Sequence, residues 1–217
     1  VGMDFLLLPE HHFDPNYSMM PDNMQWLSYL AGRTSRIKIG TGAIILPWHD
    51  NPTRVAEKIS MLQVVLGDRF LLGFGRGLAR EEYRAFGVDM NTARERFDQS
   101  AEIILDILDT GIAEYDTEFF KQSRTTITPK PEHGYRDRGF FSVAMTPESG
   151  QAAANIGGTL MSFVQLPWEQ HHAAVEAWRT RFKEVHPNKA LGAPVFSDFT
   201  FCHEDPKVAE EVARKYL

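Results

Sequence analysis

The sequence predicts an α/β fold, an eight-fold (β/α) barrel of the TIM-barrel type. Short, continuously apolar segments alternate with longer segments of helical periodicity, which is typical of parallel strands covered by helices. Polar and charged residues follow several different strand ends, as in a barrel, whereas an open doubly wound sheet concentrates its ligand contacts at one switch point. The glycine-rich turn that opens such a sheet is absent, because Gly73, Gly75 and Gly77 alternate along a strand end instead.

Six buried strands are predicted along the chain, each an apolar run bounded by proline, glycine or polar residues. The first strand stops at Pro9 and the second stops at Pro47. The predicted ranges are 5–8, 37–46, 70–74, 140–144, 160–164 and 195–201.

Helices are predicted between these strands from their capping residues and their apolar faces. The longest begins near Asn91 and ends at Gly111, a residue type that commonly follows a helix. The other start signals are Asp22, Asn51-Pro52, Thr146-Pro147 and Asp205-Pro206, and a further helix is predicted over 168–185. The predicted inward faces include Met24, Leu27 and Ala31, then Phe97, Ala101, Ile104 and Leu108, and finally Val175, Trp178, Phe182 and Val185.

We expect residues 1–217 to form a single domain with one insertion. Residues 112–138 are polar and carry Pro129 and Pro131 close together. They are therefore predicted as an irregular insertion between a helix and a strand, with a short strand near 125–127.

The composition argues against several classes of partner. A net charge of -6 gives no general attraction to nucleic acid or to an anionic membrane. Cys202 is the single cysteine, so no internal disulfide can form. No apolar run reaches membrane-spanning length, and the first residues lack the basic start of a signal peptide. We therefore expect a cytoplasmic protein without nucleic-acid or membrane partners.

Two arginines near one predicted strand end are candidates for anion binding. Gly75 and Gly77 flank Arg76, and Arg94 lies in the loop before the longest helix. Glycine lets a ligand approach the backbone closely, and the planar guanidinium group suits phosphate. The arrangement favours a phosphate-bearing ligand, although either arginine taken singly is more often paired with a nearby carboxylate, here Glu81, Glu82 or Asp89.

The helix start at Thr146-Pro147 is a second candidate for phosphate binding. A capping threonine followed by proline leaves free N–H groups at a helix N-terminus, where phosphate binds readily. The same pattern also starts helices that bind nothing, so the two arginines decide in favour of phosphate.

Glu10, His11 and His12 follow the first strand directly. The histidines can be metal ligands, acid/base groups or packed polar residues. Neighbours on a strand face opposite sides, and neither histidine has a second ligand at helical spacing, so no metal site is predicted. One histidine should face the barrel mouth and the other the packing layer, while Glu10 is expected to orient its surroundings rather than react.

Four motifs resemble bacterial luciferase and the luciferase-like flavin monooxygenases in order and spacing. The similarity runs from about residue 4 to about residue 165, and four motifs in register are far more specific than any one of them. They are residues 10–13 (EHHF), 40–47 (GTGAIILP), 75–78 (GRGL) and 86–94 (FGVDMNTAR).

The resemblance implies a (β/α)8 barrel that binds reduced FMN and uses O2 to oxygenate an organic substrate, with the reduced flavin supplied by a separate reductase. It implies that His11 is the catalytic histidine, and that Gly42-Ala43 lies at the isoalloxazine face, where the family often has a strained peptide that is sometimes cis without involving proline. It also implies a homo-oligomer or heterodimer. The implied cofactor contacts are Gly42, Ala43, Arg76, Gly77, Leu78, Arg94, Val143, Met145, Thr146 and Ser149.

The sequence also departs from the family pattern. Gly75 stands where luciferase has a reactive cysteine, Met145 replaces an acidic residue, and Phe163 stands near a position that luciferase fills with tryptophan. The family has a strand and helix before the strand that ends near Glu10, and more chain after the last helix here. We therefore expect the barrel to be incomplete in this chain.

The substrate side of the barrel mouth is expected to be apolar and aromatic. The residues predicted to shape it are Tyr17, Met19, Met20, Trp48 and His49, which suggest a hydrophobic organic substrate. Two other functions fit the same barrel. One is a deazaflavin-dependent oxidoreductase that transfers hydride and ignores O2, and the other is a flavin-binding relative without catalysis.

Overall fold

The computed structural model describes residues 2–132 and 134–216. The strands are β1 Phe5–Leu8, β2 Lys38–Thr41, β3 Ile44–Ile45, β4 Phe70–Leu71, β5 Gly73–Gly75, β6 Ile112–Asp116, β7 Lys121–Thr126, β8 Phe141–Val143, β9 Thr159–Phe163 and β10 Val195–Ser197. The α-helices are α1 Asn23–Arg33, α2 Pro52–Leu66, α3 Arg80–Phe86, α4 Ala93–Thr110, α5 Tyr135–Arg138, α6 Pro147–Asn155, α7 Trp168–Val185 and α8 Pro206–Tyr216.

The parallel strands neighbour each other in chain order. One sheet has the order β1-β2-β4, and the other has the order β3-β5-β8-β9-β10. The predicted strand 37–46 is split into β2 and β3, and the predicted strand 70–74 is split into β4 and β5. The first piece of each lies in one sheet and the second piece in the other, so both sheets follow the same chain order. An open doubly wound sheet reverses its strand order at a switch point, whereas this one does not. The predicted TIM-barrel-like α/β fold is therefore confirmed.

The helices cover the strands through the predicted apolar faces. Met24, Leu27 and Ala31 of α1 are buried, and so are the four predicted inward residues of α4. Trp178 of α7 is fully buried, and its indole N–H donates a hydrogen bond to the Gly158 carbonyl at 2.9 Å. Gly111 ends α4 in the left-handed conformation, with a φ of 75°.

The segment 112–138 is more regular than predicted, so the prediction of an irregular insertion is wrong for much of its length. Strands β6 and β7 form an antiparallel hairpin, and α5 follows it. The sequence does not predict the hairpin because its strands are short, and β7 (KQSRTT) carries no apolar residue that would mark it as a strand. It is held to the domain by a few buried side chains, which include Ala113, Phe120 and Ile127.

Two outer helices carry exposed apolar side chains. Trp26 and Tyr29 of α1, and Met61, Val64 and Val65 of α2, are all about half exposed. Within the described ranges, no helix combines the length and the apolar character needed to cross a bilayer.

Candidate active site

All eleven residues predicted to bind the cofactor or to catalyse line one cavity of about 410 Å³. The cavity lies at the carboxyl ends of the parallel strands, because its lining follows β1, β3, β5, β8 and β9. It is also lined by residues not predicted to bind a ligand, which include Pro9, Ile45, Glu148 and Gln165.

The backbone at Gly42 and Ala43 forms one wall of this cavity. The Gly42–Ala43 peptide is cis, as it sometimes is in the family that the sequence resembles. The buried Asn23 side chain donates hydrogen bonds to the Leu8 carbonyl at 3.1 Å and to the Ala43 carbonyl at 2.9 Å. These bonds fix the ends of β1 and β2 relative to α1, so the wall has a defined position.

Glu10 is a buried carboxylate that lines the cavity and organises the same wall. It accepts hydrogen bonds from the Ile45 N–H at 2.9 Å and from His12 Nε2 at 3.2 Å, and it lies 3.5 Å from His49 Nε2. Burial is the largest influence and raises its pKa, but the two histidines and the N–H group outweigh burial and hold the pKa of Glu10 below its ordinary value. Glu10 therefore has the predicted orienting position, and His12 points to the packing layer.

Replacing Glu10 with glutamine should remove a contribution to stability that depends on pH. A carboxyl whose pKa is lowered by folding stabilises the fold above its unfolded-state pKa, near 4.5, and the contribution is lost as pH falls through the lower folded-state pKa. At neutral pH we expect the variant to lose about 1–3 kcal/mol of unfolding free energy. Urea unfolding over a pH series should show that this deficit shrinks in acid, whereas the exposed Glu204→Gln control should show no deficit. A deficit that is constant with pH would contradict the assignment.

His11 faces the cavity and is paired with Glu82 of α3. Its Nδ1 lies 3.3 Å from Glu82 Oε1, and its ring contacts the Tyr17 ring edge-on at 4.8 Å between centroids. The same carboxylate oxygen accepts a hydrogen bond from the His12 N–H at 2.7 Å. The sequence offers Glu82 only as a partner for the arginines, whereas the structure places it on the histidine pair.

Arg76 and Arg94 both border the cavity, and each side chain affects the other. Burial lowers the pKa of Arg94, Asp98 at 3.7 Å opposes this effect, and Arg76 lowers the pKa of Arg94 further. Within the described residues, no carboxylate lies at ion-pair distance from Arg76. The alternative of pairing with Glu81, Glu82 or Asp89 is therefore wrong, since Glu81 pairs with Arg84. Arg76 and Arg94 are two partly buried positive charges with a single nearby carboxylate, that of Asp98. This excess of positive charge favours an anionic ligand.

The start of α6 is more fully capped than predicted. Thr146 Oγ1 accepts a hydrogen bond from the Ser149 N–H at 3.3 Å, and Ser149 Oγ accepts from the Thr146 N–H at 2.9 Å and the Met145 N–H at 3.0 Å. This capping box uses N–H groups that were expected to be free for phosphate. Pro147 has no N–H, so the capping box leaves only the N–H of Glu148 in the first turn, and that N–H lies close enough to the Glu148 carboxylate to lower its pKa.

Glycines at 75 and 77 allow neighbouring side chains to pack directly against the backbone on either side of Arg76. A Cβ atom at Gly75 would lie 2.8 Å from Ile45 Cδ1, and one at Gly77 would lie 2.8 Å from the Trp48 ring. Gly77 also has a φ of 87°, which favours glycine.

Of the residues expected on the substrate side, Tyr17 lines the cavity, whereas Trp48 and His49 lie behind its wall. Trp48 packs against Tyr83 and Phe86 of α3. Met19 and Met20 do not line the cavity, and Met19 is largely exposed.

Known proteins resemble this chain in sequence and in fold. The family model of luciferase-like monooxygenases matches residues 1–217. The alkanal monooxygenase alpha chain of Photorhabdus luminescens is 27% identical over 218 residues, which cover 100% of this chain and 59% of that protein. The crystal structure of monooxygenase RslO1 from Streptomyces bottropensis matches with a TM-score of 0.83 and 26% identity, over 95% of this chain and 63% of that one.

An F420-dependent secondary alcohol dehydrogenase, in complex with an F420-acetone adduct, also matches with a TM-score of 0.83. Its identity is 15%, over 99% of this chain and 66% of that one, so this likeness shows the fold alone. The chain spans 59% of the length of the alkanal monooxygenase alpha chain. Because the family model matches the whole sequence, the chain belongs to the luciferase-like monooxygenase family.

Proposed function

We propose that this chain forms the flavin site of a monooxygenase that uses reduced FMN and O2 to oxidise a small, hydrophobic organic substrate. A separate reductase is proposed to supply the reduced flavin. The observation that carries the proposal is the shared cavity. It joins His11, two arginines and a cis-peptide wall at the carboxyl ends of the strands.

The lining suits the two ends of FMN. Arg76 and Arg94 would hold the phosphate, with Thr146, Ser149 and the N–H of Glu148 beside them. The backbone at 42–43, together with Val143 and Met145, would contact the isoalloxazine ring. When bound, reduced FMN would supply the two electrons that activate O2.

The protein's own side chains would then orient the reactants and move a proton. His11 Nε2 would hold or release a proton at the cavity, since an imidazole nitrogen with a free lone pair suits acid/base work. Apolar lining from Ile45, Leu78 and Phe163 would exclude water and accept a hydrophobic substrate.

The test compares two reduced cofactors. We expect photoreduced FMN to bind and to support substrate-dependent oxygen uptake, which an oxygen electrode measures directly. Hydride transfer from reduced F420 that is insensitive to O2 would instead support the deazaflavin alternative, which the dehydrogenase neighbour suggests by fold alone. Tight FMN binding without any turnover would support the non-catalytic alternative.

We propose that a second luciferase-like subunit packs on the face formed by α1 and α2. The exposed apolar side chains of this face support the proposal. We expect the Met61→Asp, Val65→Asp double variant to have a lower mass in sedimentation velocity, closer to that of the 24.7 kDa monomer. The Met90→Asp variant, which alters an exposed methionine before α4, is the control. An unmodified chain that sediments as a monomer would contradict the proposal.

A further inference from the structure

Glu82 is a buried acid that does not line the cavity proposed for the cofactor. It is 2% exposed, and it lies on the seven-residue helix α3 behind the cavity wall. Its Oε1 lies 2.7 Å from the His12 N and 3.3 Å from His11 Nδ1. Within residues 2–132 and 134–216, its Oε2 is buried without a hydrogen bond, and no arginine or lysine pairs with it.

The donors and acceptors in this group determine where the His11 proton lies. The His12 N–H can only donate, so it fixes Glu82 Oε1 as an acceptor. An ionised carboxylate can only accept, so the same oxygen also accepts a hydrogen bond from His11, which places the proton of the neutral ring on Nδ1. In the described part of the chain, no side chain or backbone group hydrogen-bonds His11 Nε2, so its lone pair is available at the cavity side.

We propose that Glu82 is a positioning residue that holds His11 in the Nδ1–H tautomer and balances the positive charge when Nε2 takes up a proton. The tautomer follows from the contacts of an ionised Glu82, whereas the catalytic consequence rests on the proposed function. A buried carboxylate without a cationic side chain is costly unless a partner compensates it, and an imidazolium ring would do so.

A structural role for Glu82 makes a different prediction. If Glu82 only tied α3 to the segment after β1, the His12 N–H bond would suffice and the tautomer of His11 would be incidental. Tyr83 already fastens α3 from the same turn, because its hydroxyl donates to the Arg76 carbonyl at 2.7 Å. Loss of the carboxylate can therefore be tested with this second attachment still in place.

The tautomer can be read directly from the cofactor-free chain. Long-range ¹H–¹⁵N spectra of histidine-labelled protein, recorded at alkaline pH where the rings are neutral, distinguish Nδ1–H from Nε2–H. The His11→Asn variant assigns the signals. We expect unmodified His11 to be predominantly Nδ1–H, and the Glu82→Leu variant to lose that preference. A predominantly Nε2–H ring in the unmodified chain would overturn the proposal, even if the leucine variant fails to fold.

The Glu82→Gln variant separates charge from hydrogen bonding. Its amide oxygen can still accept from the His12 N–H and from His11, so the tautomer should persist while the negative charge is lost. Where the unmodified protein turns over, we expect the variant to have a lower kcat and an unchanged KM for the flavin. The decrease in kcat should be smaller than the roughly 10²–10⁴-fold that acid/base catalysis contributes in full. The control is Glu81→Gln on the exposed side of the same helix. An unchanged kcat would refute the charge-balancing role, while failure of the proposed function would leave the tautomer measurement intact.

Discussion

Replacing His11 with asparagine is expected to slow oxygenation by about 10²–10⁴-fold, the usual contribution of a general acid or base. The side chain borders the cavity, its Nδ1 faces Glu82, and the neighbouring His12 is occupied with Glu10. No other histidine lines the cavity in the part of the chain that the structure describes. Affinity for FMN should change little, since the proposed phosphate contacts follow other strands.

Single-turnover oxygen uptake with photoreduced FMN measures the rate, and quenching of FMN fluorescence measures the affinity. The matched control is His172→Asn, because His172 is 62% exposed on α7, away from the cavity lining. Equal losses of rate and flavin affinity would show that His11 acts in binding and would remove its acid/base role.

Replacing Arg94 with alanine is expected to weaken FMN binding by about 1.5–3 kcal/mol, the range for hydrogen bonds to charged groups. That corresponds to roughly 10- to 150-fold in Kd. Riboflavin has the same ring system without the phosphate, so its Kd should change far less. The expectation follows from the half-buried guanidinium group, which is next to Arg76 and has Asp98 at 3.7 Å as its carboxylate partner.

The comparison between the two flavins controls for general damage to the fold. Loss of Arg94 leaves Asp98 without its cation in a partly buried position, which can weaken any ligand indirectly. Such damage would affect riboflavin and FMN alike, and equal losses would exclude a phosphate contact. The Arg84→Ala variant, which breaks an exposed pair with Glu81 on α3, should leave both affinities unchanged.

Much of the fold could be predicted because its signals are local. The apolar runs ending at Pro9 and Pro47, and the caps at Asp22 and Asn51, depend on residues close together in the chain. The site residues could be named because the resemblance supplied four motifs in register. Helix α3 was missed since seven residues between two glycine turns carry too short a periodic pattern.

The sequence by itself determined the alternation of strands and helices, the helix caps, and which residues are candidates for the cavity. Only the tertiary structure decided how these candidates pair. Glu82 lies five residues before Gly87 and next to Glu81, so sequence spacing could not distinguish it from a solvent-exposed acid or an arginine partner. Its contact with His11 spans 71 residues and exists because α3 packs behind the strand ends. Likewise, the capping box at Thr146 and Ser149 shows which N–H groups are already used. Hydrogen-bond partners depend on distances between segments far apart in the chain, and local patterns carry no information about those distances.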